Sequence, residues 1–534
     1  MKGGNEMPSI SAIRVLLLKI LTAICLVFAS IFPFKAIAQD VPVFQFFEKP
    51  GSYAVGLKVV EQYDFSRYRQ MTDDLGKPLA KERARPLQTL IWYPAEKGTG
   101  KPMTVANYVA LSATETSFGD PHMGGRIESL RDEMAPSLGS LLWAMRDANM
   151  ASGRFPVVIY APSFSAVAFE NADLCEYLAS YGYVVLASPD MGETTRSMTL
   201  DLAGTSAQAR DISFLIGYAQ TLPNTDMSEV AVAGFSWGGL SNVVAAARDN
   251  RINALVSLDG SARYSAKLVK EAGDVHPEQM TLPWLFFTQG DISLEKLAGD
   301  KSMFDAPSVL NAWRHGDLVT VHMLGMAHGE FSAMFQRSEQ FWKSRFPVNQ
   351  KADYEREDGY TSYGWMARYT LQFLNAYLKH DAAAMAYLKR KPAENGVPKH
   401  FMSVDFREAK GMPASLEAFR AALGRQGFDH AGDIYAEMRK GNPDFKLNED
   451  TINSWAYQLM DEKHLPEATE LLKLNVQMYP ESWNVYDSLG EAYMKTGQRE
   501  LAIENYKKSL EKNPENTNAI KMLKKLEDGS ATLK

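Results

Sequence analysis

The sequence predicts an α/β domain, a mostly parallel sheet with flanking helices, joined to a C-terminal all-α solenoid. Three observations predict it. Short apolar strands alternate with amphipathic helices from residue 51 to about 330, the rhythm of a sheet covered on both faces. An apolar run, Val230 to Phe235, enters Gly234-Phe235-Ser236-Trp237-Gly238 and is followed at once by a helix pattern, Leu240 to Ala247. Near the C-terminus, matching residues recur 34 positions apart, a spacing that marks stacked helical pairs. With 534 residues, 46% hydrophobic and 23% charged, the chain is ordinary globular material, long enough for more than one domain.

The first 38 residues stand apart. Lys2, Arg14 and Lys19 precede an apolar stretch, Ile20 to Phe34, and Ala36-Ile37-Ala38 follows, the layout of a secretory signal peptide with its small-residue cleavage site. The apolar run falls short of the ~20 residues that span a bilayer, so the expectation is a periplasmic or secreted protein with no integral membrane domain after cleavage. Cys25 would leave with this segment, and Cys175 would be the only thiol remaining, excluding an intramolecular disulfide. The net charge of −7 becomes more negative without the basic leader, which argues against a nucleic-acid footprint.

The α/β domain is expected over residues 39–400. Tyr53–Tyr63 and Leu87–Tyr93 read as opening, antiparallel edge strands. Phe155–Ala161, Tyr183–Ser188, Val230–Phe235, Ile252–Leu258, Pro283–Thr288 and Leu318–Leu324 follow as buried strands. Asn171–Tyr181, Ala207–Leu222, Ser308–Arg314 and a long stretch from Tyr363 to Leu388 read as helices. Residues 96–154 interrupt the alternation with two helical patterns, Ile127–Asp132 and Leu138–Asn149. An insertion of this length in a compact domain predicts a lid.

Residues 401–534 are expected to be the helical domain. Ala468 and Ala502 are 34 apart, as are Pro480 and Pro514, Leu472 and Tyr506, and Leu459 and Tyr493. Gly490 and the two alanines let paired helices approach closely, and this region resembles tetratricopeptide repeats, which implies a groove for a protein or peptide partner.

Glycines two residues to either side of Ser236 are what a sharp strand-to-helix turn needs when it exposes a serine hydroxyl above a sheet. Ser236 is therefore the candidate nucleophile. A base, an acid to orient it, and donors for the oxyanion complete such a site. His328, in a small-residue loop after the last strand, is the candidate base; His315 and His322 are weaker, one at a helix end and the other mid-strand. Asp259 and Asp291, each after a strand, compete as the acid. The backbone amides of Trp237 and Phe164 are the candidate oxyanion donors, and Ser163 or Ser165 could add a hydroxyl. Glu193 ends another strand and could line the pocket. There is no paired cysteine or His-Glu-x-x-His for zinc, no phosphate loop and no dinucleotide fingerprint, so no metal or cofactor is expected.

Taken in order, Arg85-Pro86-Leu87-Gln88-Thr89-Leu90-Ile91-Trp92-Tyr93-Pro94-Ala95, Phe155 to Tyr160, Leu178 to Val185, the serine turn and Ala327-His328 resemble the α/β-hydrolase superfamily. Within it the likeness is to secreted dienelactone-hydrolase-like and platelet-activating-factor-acetylhydrolase-like esterases. The resemblance implies a Ser-His-Asp esterase acting on a small-molecule ester without a cofactor. It favours Asp259 over Asp291, because the acetylhydrolase acid sits in a Leu-Asp setting like Leu258-Asp259. Two departures matter. Dienelactone hydrolases proper use cysteine where this chain has Ser236, which points toward other esters. These families often carry His-Gly where this chain has Pro162-Ser163, which implies an oxyanion turn built differently or less effective. The second departure is also what supports the rival expectation, a non-catalytic envelope adaptor working through its helical repeats.

Overall fold

The structure, a computed structural model, describes residues 43–528 apart from 68–71, 73–74, 79–83, 99, 116–117, 119–123, 291–307, 346–353 and 412. The expected signal segment, 1–38, and the alternative acid, Asp291, lie outside the described residues.

Eleven strands form one sheet among the described residues: β1 (Ala54–Asp64), β2 (Arg85–Ala95), β3 (Pro102–Thr104), β4 (Leu141–Arg146), β5 (Phe155–Ala161), β6 (Val184–Ala187), β7 (Thr225–Phe235), β8 (Ala254–Leu258), β9 (Trp284–Gln289), β10 (Leu318–Met323) and β11 (Met402–Arg407). Their order is β11-β10-β9-β8-β7-β5-β6-β2-β1-β4-β3. The run from β6 through β5, β7, β8 and β9 to β10 is parallel. Its strands are near-continuous apolar runs, as strands covered on both faces must be. Alternation within them still divides the core. Val158 and Tyr160 of β5 face helices Ala172–Ser180 and Arg356–Leu378, while Val157 and Ile159 face helices Leu202–Ala219 and Trp237–Arg248.

Two sequence expectations are corrected. Leu138–Asn149 is not a helix: a single 3₁₀ turn, Ala135–Ser137, leads into β4, which pairs parallel with β1. Leu142 and Ala144 are buried while Leu141 is exposed; this short apolar run fits either period and pairing with β1 decides it. The insertion expected as a lid, residues 96–154, carries β3 and β4. It extends the sheet edge, and its Tyr108 is fully buried, accepting from Trp92 Nε1 at 2.8 Å and donating to Glu176 at 2.5 Å. The long helix expected from Tyr363 to Leu388 is two, Arg356–Leu378 and Ala382–Lys389. His380 turns to a positive φ of 52° between them, and Asp381 caps the second through Ala383 N and Ala384 N. Beyond residue 400, β11 pairs antiparallel with β10.

The C-terminal region is helical, with antiparallel pairs such as Glu449–Asp461 with Leu465–Met478 and Trp483–Lys495 with Arg499–Lys512. The 34-residue spacing is visible in the turns. Lys463 and Gly497 both take positive φ, 72° and 75°, and the next amides, His464 and Gln498, each donate back to Leu459 O and Tyr493 O at 2.8 Å. A Cβ on Gly490 would stand 3.1 Å from the Tyr506 ring, which is why that position is small. Among the described residues no helix is long and apolar enough to cross a membrane.

Candidate active site

Ser236 sits between β7 and helix Trp237–Arg248 with φ 54° and ψ −114°, a left-handed conformation that costs a side chain on the order of 1–3 kcal/mol. The surroundings impose it. A Cβ on Gly234 would lie 2.5 Å from the Gly238 carbonyl carbon, and one on Gly238 would lie 2.1 Å from Ala161 O. Ser236 N donates to Leu258 O at 3.0 Å, and its carbonyl accepts from Ser261 N at 2.8 Å and Gly239 N at 3.1 Å. The serine main chain is thus pinned to the end of β8 and the turn after it.

Asp259 follows β8 directly, also at positive φ, 45°. Its side chain is wholly buried. Oδ2 lies 2.5 Å from His328 Nδ1, and His328 Nε2 lies 2.8 Å from Ser236 Oγ. The other carboxylate oxygen accepts from Gln289 N at 2.8 Å and pairs with Arg263 Nη2 at 2.9 Å. Burial alone would raise the Asp259 pKa, but the Arg263 charge, His328 and the Gln289 amide outweigh it and hold the carboxyl below its ordinary value. Arg263 is itself buried, donating to Thr288 Oγ1 and lying over the Tyr264 ring. The imidazole stands on a 3₁₀ turn, His328–Phe331, against the Phe235 ring, with centroids 4.9 Å apart. Glu330 braces that turn by accepting from Ala327 N at 2.6 Å.

Across the serine lies the loop after β5. Ser163 N donates to Glu170 Oε2 at 2.9 Å and Ser165 N to Asp190 Oδ2 at 2.7 Å. The Phe164 amide is the one between them, and its ring packs edge-on to the Trp237 ring, with centroids 6.2 Å apart. Arg196 ties the loop from beneath through Ser165 O at 3.1 Å, Ala166 O at 3.2 Å and Asp190 O at 2.7 Å. Glu115, from the insertion, pairs with Arg196 at 3.1 Å and accepts from Ala168 N at 3.2 Å. Burial pushes both loop carboxyls up: Glu170 to about 7, against the opposing pull of Ser163, Tyr160 and His328, and Asp190 well above its ordinary value.

Of the residues singled out in the sequence, Ser236, His328 and Asp259 are therefore brought together, with Trp237 and Phe164 on adjoining turns. His322 is buried mid-strand beside Asp405 at 3.1 Å, and His315 meets the carbonyls of Lys410 and Gly411. Glu193 pairs with Arg210 at 3.6 Å. Arg263, Gln289, Glu170, Asp190 and Arg196 escaped sequence reasoning. Glu170 did leave a trace: it is a lone charge within Val167-Ala168-Phe169-Glu170-Asn171-Ala172, where burial makes an acid expensive.

Residues 144–277 match the Dienelactone hydrolase family, and residues 483–516 match the Tetratricopeptide repeat family. Over 105 residues the chain is 31% identical to a Synechocystis sp. protein named "Putative carboxymethylenebutenolidase", covering 17% of this chain and 42% of that one. The chain thus spans less than half the length of that curated relative. A ferulic acid esterase from Streptomyces cinnamoneus is similar in structure with a TM-score of 0.46 and 20% identity, over 68% of this chain and 99% of that one. The chain carries a dienelactone hydrolase family domain of the α/β-hydrolase type and, in its C-terminal region, a tetratricopeptide repeat.

Proposed function

We propose that this protein is an exported serine hydrolase that cleaves carboxylic esters through an acyl-enzyme. The observation that carries the reading is the continuous path from Ser236 Oγ through His328, 2.8 Å away at Nε2, to Asp259, 2.5 Å from Nδ1. In this reading Ser236 Oγ attacks the ester carbonyl carbon as His328 Nε2 takes its proton. Asp259 keeps the imidazole in the tautomer that accepts at Nε2 and stabilises the imidazolium. The carbonyl electron pair moves onto oxygen, where the Trp237 and Phe164 amides receive it. Collapse of that intermediate breaks the bond to the alcohol, which leaves with the proton from His328. Water, deprotonated by the same imidazole, then releases the acid and restores Ser236.

The Dienelactone hydrolase match supports ester chemistry, and the serine in place of cysteine supports esters other than dienelactones. Export rests on the basic, apolar and Ala-x-Ala segments of residues 1–38. The repeats support a protein or peptide partner. The test is turnover of p-nitrophenyl esters together with labelling by a fluorophosphonate probe. Wild type is expected to turn over and to label, and Ser236→Ala to do neither. A Ser236→Ala variant with unchanged turnover rejects the nucleophile, and a wild type that neither turns over nor labels leaves the adaptor reading.

A further inference from the structure

The turn that should receive the oxyanion lacks the His-Gly pair of its look-alikes, and the structure holds something else beneath it. Pro162 has no N–H, and Ser163 presents two donors, amide and hydroxyl, in the same direction. Both go to Glu170: Ser163 N to Oε2 at 2.9 Å and Ser163 Oγ to Oε1, with the Tyr160 hydroxyl adding a third bond at 3.1 Å. Glu170 is fully buried. No lysine or arginine hydrogen-bonds its carboxyl among the described residues, and the groups facing it are Tyr160 and Ser163, His328 across the site, and Asp173 and Arg337 along the small apolar cavity behind it.

The main chain of the same residue reaches the other side of the site. Glu170 O accepts from Met334 N at 3.1 Å, and Asn171 donates to Phe331 O at 3.1 Å and accepts from Ala333 N at 2.7 Å. One dipeptide therefore sets the spacing between the turn bearing Phe164 and the turn bearing His328. The carboxylate gives each donor of Ser163 its own oxygen, and burying a carboxylate without a cationic partner is costly for a loop that only had to be closed. Burial lifts this carboxyl to about 7, the mark of that cost.

We propose that Glu170 is a positioning residue for ester hydrolysis: by gripping both donors of Ser163 it aims the Phe164 amide at the developing oxyanion. The inference rests on the esterase reading above. It is tested with Glu170→Ala, Glu170→Gln and Ser163→Ala, measuring kcat and KM on a p-nitrophenyl ester, affinity for a trifluoromethyl ketone, which forms a tetrahedral adduct, and affinity for the product acid, which does not. Loss of a grip on one oxyanion donor is expected to lower kcat by about 10- to 100-fold in Glu170→Ala. Trifluoromethyl ketone affinity should fall in parallel, with KM and acid affinity within threefold of wild type. Glu170→Gln, which keeps an oxygen for Ser163 N, should recover part of the loss. Ser163→Ala, which leaves the buried carboxyl in place and decides the matter if Glu170→Ala does not fold, should lose about 3- to 10-fold in kcat. Unchanged kcat and ketone affinity in a folded variant, or equal losses in ketone and acid binding, would overturn the proposal. Fluorophosphonate labelling of wild type separates the two claims: an unlabelled wild type sinks the esterase reading itself, whereas a labelled one with indifferent variants sinks only the role of Glu170.

Discussion

The sheet region and the repeat region of this chain are held together by different chemistry. Around the sheet, charges are buried and paired: Arg85 with Asp211 and Arg337 with Asp173 are hydrogen-bonded at 2.6 Å each, Arg263 forms an ion pair with Asp259 at 2.9 Å, and Glu170 and Glu176 have, among the described residues, no charged partner in hydrogen-bond contact. The repeat core is Ala468, Leu471, Leu472, Ala502 and their like. Its inward carboxylate, Asp487, is held by the neutral amides of Asn516 and Asn518, at 2.8 Å each. A stack of helices buries one apolar face against the next and tolerates small shifts. The proposed site, which would hold an imidazole, a hydroxyl and a backbone amide in register, does not, and directional bonds in low dielectric supply the constraint at a cost in stability.

The largest expected effect tests the directional side of that contrast. Asp259→Asn keeps the volume but offers His328 Nδ1 the wrong partner and leaves Arg263 beside a neutral amide. A fall in kcat of about 10⁴ is expected, with the melting temperature moving far less than activity. A loss of tenfold or less would mean that the acid comes from elsewhere, and Asp291→Asn is the companion variant.

What the sequence discloses follows the same division. Gly234 and Gly238 announce the serine turn because their Cβ atoms would strike backbone, a steric demand written in residue type. The repeats announce themselves because every unit solves the same packing problem at the same positions, down to Lys463 and Gly497 in matching turns. Glu170, Glu176 and Asp190 gave little signal. A carboxylate in a helix or loop pattern reads as a solvated face, and only tertiary packing reveals that it points inward. β4 and β11 were hidden for a related reason: strands of six residues carry too little periodicity to outweigh their neighbours. The choice between Asp259 and Asp291 rested on family resemblance, since both end strands in turn-forming contexts.

A smaller effect probes the packing side. Gly490→Val would drive a branched side chain toward Tyr506, whose ring atoms lie 3.1–3.2 Å from a Cβ there. Overpacking of this kind costs about 1–3 kcal/mol. Because each repeat touches only its neighbours, the expected outcome is earlier melting of helical signal by circular dichroism with ester kcat at 25 °C within twofold of wild type. A matching fall in kcat would show that the repeats support the site after all, and would erase the division between the two regions.

The finest test concerns what a buried carboxylate does to stability. Glu176 receives Trp143 N at 2.5 Å and Ala144 N at 3.0 Å on one oxygen and the Tyr108 hydroxyl at 2.5 Å on the other. Burial lifts its pKa from 4.5 to about 8, with Asp173 adding to the rise and the hydrogen bonds opposing it. Between those values the folded chain holds a proton that the unfolded chain has released. Its contribution is therefore fully present below pH 4.5 and is lost progressively as pH climbs toward 8. Glu176→Gln keeps an oxygen for the two amides and an N–H for the Tyr108 oxygen, and it carries no proton to lose. Thermal melts of the two proteins at matched ionic strength should diverge with pH: near-equal or favouring wild type at pH 5, favouring the glutamine variant at pH 8. The other raised carboxyls, Glu133, Glu170, Asp190 and Asp487, act on both proteins alike and cancel in the difference. A difference that stays flat across this range would mean that Glu176 titrates as an ordinary carboxylate, and that the sheet region carries less strain from buried charge than its hydrogen bonds imply.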